Sequence, residues 1–357
     1  MRLAISLGAR GLGRVWPNPA VGCVLVRDGE ILGRGWTQPG GRPHAEAMAL
    51  RGCDARGATA YVSLEPCAHH GLTPPCANAL IEAGVRRVVT ALTDPDPRVA
   101  GRGHAMLRAG GVEVTEEVEA EAAARVNAGF LLRLTQGRPF VTLKLALTLD
   151  GRIATASGES RWITGPEARR AVHALRARHD AVLVGSGTAR ADDPDLQVRG
   201  FGVTHQPVRI VAARSLRIDA SGRLGASARA APVWLLHGSD APHEARQSWQ
   251  ATGAELIQTD FGVDGFEVTE MLRALARRGV TRILCEGGGT LAAQLLRAGA
   301  VDALVVFSAG KMIGAEGRAG LGALELAALA DAPRFELVET RPVGADILHH
   351  WRRCGGA

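Results

Sequence analysis

A chain of 357 residues with 46% apolar composition is long for one domain and has material for two cores. Its net charge of +6, from 42 basic and 36 acidic residues spread without a run, suits an anionic small substrate. One tyrosine and seven phenylalanines are too few for a base-stacking platform, so no nucleic-acid partner is expected.

No stretch approaches twenty uncharged apolar residues, and the N-terminus lacks a basic-then-apolar leader pattern. Six cysteines with no repeated spacing fit a reducing compartment, and the expectation is a soluble cytoplasmic protein with no membrane partner. In chain order, Pro17-Asn18-Pro19 makes a stiff loop that holds the Asn18 amide, either for a ligand or simply as a turn residue. A strand over 21–26 turns at Asp28-Gly29 into a second over 31–36. The pattern then predicts a helix over 44–51, a strand over 58–64, a helix over 76–83, a strand over 87–92, a helix near 103–109 and a strand over 112–115. A long alanine-rich helix over 116–134 ends at Gln136-Gly137-Arg138-Pro139, because glycine followed by proline is a regular helix exit. The domain boundary is placed there, giving 1–137 and 138–357.

The stretch from His44 to Cys76 carries the chemistry of the first half. His44, Cys67 and Cys76 can give three ligands to a tetrahedral zinc, and three rather than four leaves a corner open for water. Glu46, two residues on in the first turn of the helix, can reach that corner without binding the metal and can pass a proton to a departing amine. The arrangement is similar to that of zinc nucleobase deaminases, except that eight residues rather than two separate the cysteines. A Cys67–Cys76 disulfide or two ordinary buried thiols are the bland alternatives. Pro43, Pro66 and Pro74-Pro75 precede the three ligands and are expected to set each at a helix start, where the dipole favours a thiolate. His69 and His70 compete as ligands and are read as substrate or supporting groups.

The second half opens with a strand from Phe140 to Asp150-Gly151. It carries Lys144, one of two lysines in a chain with 42 basic residues, and a charge inside so apolar a run is expected to be functional. A helix over 166–178, a strand over 181–184, a segment over 185–194 and strands over 208–212 and 233–237 follow. Helices over 242–252 and 268–278, a strand over 282–285 and a helix over 291–297 complete the pattern. Glu286-Gly287-Gly288-Gly289-Thr290, between strand and helix, is a candidate phosphate cradle, but neither it nor Gly185-Ser186-Gly187-Thr188 has the spacing of a dinucleotide fold. The stretch 217–231 reads as variable surface loop, and Arg169 and Arg170 as solvated. Strands alternating with helices in both halves give an α/β fold class.

Taken together, 17–22, 44–46, 65–76, 94–103, 143–151, 158–164, 191–199 and 286–289 resemble the bifunctional riboflavin-biosynthesis deaminase-reductases over nearly the whole chain. The resemblance implies a cytidine-deaminase-like three-layer domain with zinc, followed by a dihydrofolate-reductase-like α/β domain with NADPH. The implied first step is hydrolytic deamination of a diaminopyrimidine ribosylamino phosphate, and the second is reduction of its ribose to the ribityl chain. By position, Asn18, His69 and Asp94 match contacts to the pyrimidine nucleotide. Ala146, Trp162, Thr188, Asp192, Gly288 and Gly289 match NADPH contacts. Lys144, Ser160, Arg176, Leu196, Arg199 and Glu286 match the ribose phosphate site, where Arg176 and Arg199 would clamp phosphate. Lys144, Asp192 and Glu286 are all candidates to protonate the imine form of the ribosylamino group.

Leu72 stands where the family has a basic residue, Asp96 where it has asparagine, Thr148 where it has serine and Gly310 where it has proline. A deaminase acting on nucleic acid, or a lone deaminase with a non-catalytic second half, are the rival classes. Homo-oligomers are common among such enzymes, although no stretch of the sequence marks an interface.

Overall fold

Strand β1 (Gly22–Arg27) sorts its side chains by parity, because successive residues of a strand point to opposite faces. Cys23 and Leu25 join one apolar layer, and Val24 and Val26 the other. The structure, a computed structural model, describes residues 1–68, 74–262 and 265–354, and divides into two units, Met1–Gly137 and Arg138–Ala357.

In the first unit β1 pairs antiparallel with β2 (Glu30–Trp36) and with β3 (Thr59–Val62). β4 (Arg87–Thr90) and β5 (Glu113–Thr115) extend the sheet in parallel, giving the order β2-β1-β3-β4-β5. One face buries Cys23, Leu25, Ala60, Val62 and Val88 against Ala45 and Ala49, Ala77 and Leu80, and Leu107. These come from α2 (Ala45–Leu50), α3 (Cys76–Glu82) and α4 (Arg102–Ala109). The opposite face packs on α1 (Arg2–Gly8) through Ala4 and Leu7, and on α5 (Ala120–Gln136) through Ala123. The result is a three-layer sandwich.

Helix α1 is absent from the expected elements, being seven residues long with no side-chain cap to announce it. Helix α5 begins at Ala120 instead of Glu116, since Glu117 and Glu119 take positive φ values of 61° and 63° and break the helical run before it. Gly137 closes it in the left-handed conformation.

The second unit contains β6 (Phe140–Thr148), β7 (Arg152–Ala154), α6 (Pro166–Arg176), β8 (Ala181–Gly185), α7 (Ser186–Asp192), β9 (Val208–Ala212), α8 (Arg223–Ala226), β10 (Val233–His237), α9 (His243–Thr252) and β11 (Glu255–Gln258). It continues with β12 (Phe261–Gly262), β13 (Gly265–Phe266), α10 (Val268–Arg277), β14 (Arg282–Gly287), α11 (Gly289–Arg297), β15 (Ala303–Ala309), β16 (Arg318–Ala319), β17 (Phe335–Val343) and β18 (Asp346–Arg353). Its nine-stranded sheet has the order β11-β10-β9-β8-β14-β6-β15-β18-β17. Strands β11 through β15 run parallel, and the β17–β18 hairpin adds antiparallel to β15. The carboxyl ends of β8, β14 and β6 are therefore neighbours, and crevices at such ends are where open α/β sheets bind ligands.

Two expectations for this unit are corrected. The stretch 217–231 is not loose surface: it holds α8, buries Leu224, Ala228 and Ala231, and accepts hydrogen bonds from the wholly buried Arg209 at Ser227 Oγ (2.7 Å) and the Ala231 carbonyl (2.5 Å). Arg169 is not simply solvated, because its guanidinium lies 4.5 Å above the Trp162 ring and donates to the Thr164 carbonyl at 2.7 Å. Arg170 remains exposed and lies over Phe201.

Candidate functional site

The first site is built on the seating of α2. A Cβ on Gly35 would stand 2.2 Å from the Ala45 carbonyl oxygen, and one on Gly33 would stand 2.1 Å from that of Ala49. Only glycine lets the helix lie directly on β2. His44 is the N-cap of that helix, and Glu46, in its first turn, is buried. Cys76 opens α3, as expected, but Cys67 lies in the loop after β3 and not at a helix start. Its sulfur nevertheless reaches the beginning of α3, where the Cys76 backbone N–H donates to it at 3.3 Å.

All six cysteines are free thiols, so the disulfide alternative falls. His44 Nδ1 lies 3.3 Å from Cys76 Sγ and 3.6 Å from Cys67 Sγ, and the three ligand atoms lie within 4.8 Å of one another. A tetrahedral zinc with ordinary Zn–N and Zn–S bonds calls for N···S separations of about 3.6 Å. The donor set and its spacing fit that ion.

A hydrogen bond from the Cys76 thiol draws the Cys67 thiol down to about 4, whereas the same bond and burial push Cys76 well above the ordinary thiol range. His44 is raised by its bond to Cys67. Burial, with the Cys67 charge beside it, lifts Glu46 to about 7, a value suited to taking and giving a proton near neutrality.

Glu65, which has no assigned role in the motif reading above, fastens this site. Its Oε2 accepts from the backbone N–H of Asp94 (3.1 Å) and Gly101 (3.0 Å), and its Oε1 from those of Gly103 (2.8 Å) and His104 (3.2 Å). The loop after β4 is thereby tied to the Cys67 loop. A Cβ on Gly103 would sit 2.0 Å from the Pro66 carbonyl oxygen, so the approach is closed to any other residue. The signal for Glu65 was its place directly before Pro66-Cys67.

Asp94 sits in the tied loop, buried and pushed up to about 6 chiefly by that burial. Asp96 beside it is held by Arg98, with an Nη2–Oδ2 distance of 2.6 Å. The Asn18 side chain lies against Gly41, where a Cβ would stand 1.9 Å from its amide nitrogen. His69, His70 and Leu72 lie outside the described residues.

The second unit gathers its candidates around the carboxyl ends of β8, β14 and β6. Lys144, half-buried on β6, is lowered by burial and pulled back up by Glu286 and Asp192. Glu286 closes β14, and both its oxygens are taken by Arg176 of α6, Nε at 2.5 Å and Nη2 at 2.8 Å. Arg176 Nη1 donates to the Gln197 carbonyl at 2.9 Å. Three of the five Arg176 N–H donors are thus engaged with Glu286 and the Gln197 carbonyl, and Arg199, the other guanidinium expected at the phosphate, is exposed.

Gly288 precedes α11 at φ 83°, and Thr188 Oγ1 lies beside it. Asp192 ends α7, and its carbonyl accepts from Arg161. Leu196 is buried at φ 58°. Trp162 is 62% exposed, and its carbonyl accepts from Lys311 Nζ at 2.7 Å. Ala146 and Ser160 are half-buried on β6 and on the loop before Trp162.

A cavity of about 420 Å³ lies at the carboxyl ends of β8 and β9, lined by Ser186, Arg190, Ala213, Arg214, Ser215 and Arg217. Its three guanidinium-bearing residues suit an anion. No local motif marks it, because those residues are scattered between 186 and 217.

Residues 1–92 match the cytidine and deoxycytidylate deaminase zinc-binding region, and residues 139–349 match the RibD C-terminal domain. The chain is 43% identical to riboflavin biosynthesis protein RibD of Escherichia coli K12, over 98% of this chain and 97% of that one. It is 38% identical to that of Aquifex aeolicus, over 99% and 97%. Among solved structures, Acinetobacter baumannii RibD matches with a TM-score of 0.89 at 38% identity, covering 99% of this chain and 97% of that one. A Thermotoga maritima diaminohydroxyphosphoribosylaminopyrimidine deaminase/5-amino-6-(5-phosphoribosylamino)uracil reductase matches with a TM-score of 0.86 at 36% identity and the same coverage.

Proposed function

Because this chain belongs to the riboflavin biosynthesis protein RibD family and is a bifunctional enzyme, a zinc-dependent pyrimidine deaminase and an NADPH-dependent reductase, we propose that residues 1–137 carry the deaminase and 138–357 the reductase. The substrate proposed for the first step is 2,5-diamino-6-(5-phosphoribosylamino)pyrimidin-4-one, and the final product is 5-amino-6-(5-phosphoribitylamino)uracil. The observation that carries the reading is the His44, Cys67 and Cys76 cluster with Glu46 buried beside it.

Zinc supplies an acidified water at the deaminase site, and NADPH supplies hydride at the reductase site. His44, Cys67 and Cys76 would hold the ion. Glu46 would carry one proton of the attacking water to a ring nitrogen and the second to the amine, which then departs as ammonia. Asp94 and Asn18 are assigned to the pyrimidine nucleotide, and His69 is assigned to it by family resemblance alone.

In the reductase, Thr188, Asp192, Gly288, Gly289, Ala146 and Trp162 hold the cofactor, and the cavity of Arg190, Arg214 and Arg217 takes its ribose 2′-phosphate. Ser160, Leu196 and Arg199 receive the ribose phosphate of the substrate, with Arg199 on the phosphate itself. Arg176 keeps Glu286 ionised, Glu286 steadies the positive charge of the imine, and Lys144 delivers the proton. The substrate is a small phosphorylated pyrimidine and not nucleic acid, in keeping with the scarcity of aromatics. No helix among the described residues is long and apolar enough to cross a membrane. We place the enzyme in a reducing compartment, the cytoplasm, in keeping with its six free thiols.

Mass spectrometry of the product of zinc-loaded protein, run with and without NADPH, tests this reading. Exchange of an amine for oxygen without cofactor, then gain of two hydrogens with it, is expected. Deamination with no later reduction would remove the second activity, and no deamination would remove the first.

A further inference from the structure

The loop that carries Arg199 is held at successive residues. Leu196 is fixed in the left-handed region, a conformation that a non-glycine residue keeps only when its surroundings impose it. The Gln197 carbonyl accepts from Arg176. Val198 is bracketed by the Gln206 side chain, which accepts from its N–H at 2.7 Å and donates to its carbonyl at 3.2 Å. The last tie is to the Arg199 backbone itself, whose N–H donates to His173 Nδ1 at 3.2 Å.

His173 and Arg176 lie three residues apart on α6 and face the same loop, while Ala168 and Val172 on the other side of the helix are buried against Val305 and Phe307. The helix is anchored by its apolar stripe and offers two polar groups to one short segment. Arg176 serves Glu286 as well as the loop, whereas His173 serves the loop through the Arg199 backbone.

We infer that His173 is a positioning residue of the reductase: its neutral imidazole, accepting at Nδ1, fixes the Arg199 backbone and so aims the Arg199 guanidinium at the substrate phosphate. The inference rests on the reading of Arg199 as the phosphate-binding residue. It assigns His173 a place in binding and none in hydride transfer. An imidazolium has no acceptor at Nδ1, so protonation removes the tie. The charged groups facing the ring are Arg176 from its own helix, Arg199 from the loop and Glu286 from β14, and burial with the two guanidinium charges lowers His173 below the ordinary histidine value. The neutral acceptor form is therefore the one present at neutral pH.

Steady-state kinetics of the full-length protein at saturating NADPH test the inference, using the deaminated phosphoribosylaminouracil and its dephosphorylated counterpart. Loss of one such hydrogen bond in His173→Ala should raise KM for the phosphorylated substrate roughly 5- to 10-fold and leave kcat within about 2-fold. KM for the dephosphorylated substrate should not move. His173→Asn, whose amide oxygen can stand where Nδ1 stands, should restore KM. In an Arg199→Ala background, His173→Ala should add nothing further.

An unchanged KM in His173→Ala, an equal rise for both substrates, or a fall in kcat alone would overturn the inference. If Arg199→Ala itself leaves KM for the phosphorylated substrate unchanged, the reading of Arg199 fails first and takes the inference with it. Should His173→Ala not fold, wild type and His173→Asn are compared between pH 7 and 5. The substrate phosphate titrates alike in both, so the ratio of wild-type to variant KM should rise on acidification, and a constant ratio would refute the role.

Discussion

Replacing Arg176 by methionine would strand Glu286. The pair is bidentate, with the two side chains 13% and 9% exposed, so the carboxylate left behind cannot turn to water for compensation. Breaking a buried pair from one side costs roughly 3–5 kcal/mol, and with Lys144 still beside Glu286 the lower end, about 3 kcal/mol, applies. For a domain the size of Arg138–Ala357, each kcal/mol moves the midpoint about 2–4 °C, which gives a fall of roughly 6–12 °C in the reductase transition.

The pH dependence has a definite sign. In the wild type, burial works to raise Glu286 but the Arg176 guanidinium and Lys144 prevail and hold it below the ordinary carboxylate value. That contribution is present above the unfolded pKa of about 4.3 and is lost as pH falls through the lower folded value. In Arg176→Met burial prevails, the folded pKa rises above the unfolded one, and the penalty fades as the carboxyl protonates on acidification. The gap between the two proteins should therefore be widest near pH 7 and shrink towards pH 4. Calorimetry of both, together with Arg176→Met/Glu286→Gln, reads this directly. The double variant has no stranded charge and should recover more than half the loss. A single-variant shift below about 2 °C, or a double variant no better than the single one, would refute the account.

Glu46→Gln should keep its zinc, measured by elemental analysis, while deaminase kcat drops about 10²- to 10⁴-fold, and a smaller loss would mean that the proton moves by another route. Cys67→Ser, or dialysis against a chelator, should abolish deamination but leave NADPH oxidation intact when the deaminated substrate is supplied, since the reductase candidates lie in the other unit. Gly35→Ala should destabilise the deaminase unit by about 1–3 kcal/mol because α2 must lift off β2, and an unchanged denaturation midpoint would argue against that contact. Arg214→Ala/Arg217→Ala should raise KM for NADPH about tenfold and leave KM for NADH unchanged, whereas equal effects on both would empty the cavity of its assigned phosphate.

What the chain disclosed beforehand follows from the range of the interactions involved. His44, Glu46, Cys67 and Cys76 were legible because metal ligation restricts residue type and proline marks the local turns. The parallel strands β6, β8, β9, β10 and β14 were legible as short apolar runs, since both their faces are covered. The edge strand β17 was not, because nearly every residue of Phe335–Val343 is exposed and charges interrupt the run. Strand β15, an apolar run like the others, was passed over although its pattern was readable. The grip of Glu65 on the loop 94–104 and the pairing of Arg176 with Glu286, 110 residues apart, are matters of tertiary contact. Nothing in the local sequence of Arg176 tells a guanidinium that binds a ligand from one that holds a carboxylate.

That distinction also separates the reactive carboxylates from the supporting ones. A buried carboxylate can move protons only if its lone pairs are not already committed. Glu46 and Glu65 belong to the same motif and are both buried, yet Glu65 accepts four backbone N–H bonds. Glu46 has no such set of backbone donors: the Cys76 thiol is its side-chain partner, and a metal held by the cluster would displace that thiol's proton. Glu46 is thus freed by the same event that calls for a base, while Glu65 stays fixed. In the reductase, Arg176 occupies both oxygens of Glu286, which makes that residue a standing negative charge and an unsuitable proton donor. Lys144 lies beside it with its proton loosened by burial, and this is why the proton is assigned to the lysine.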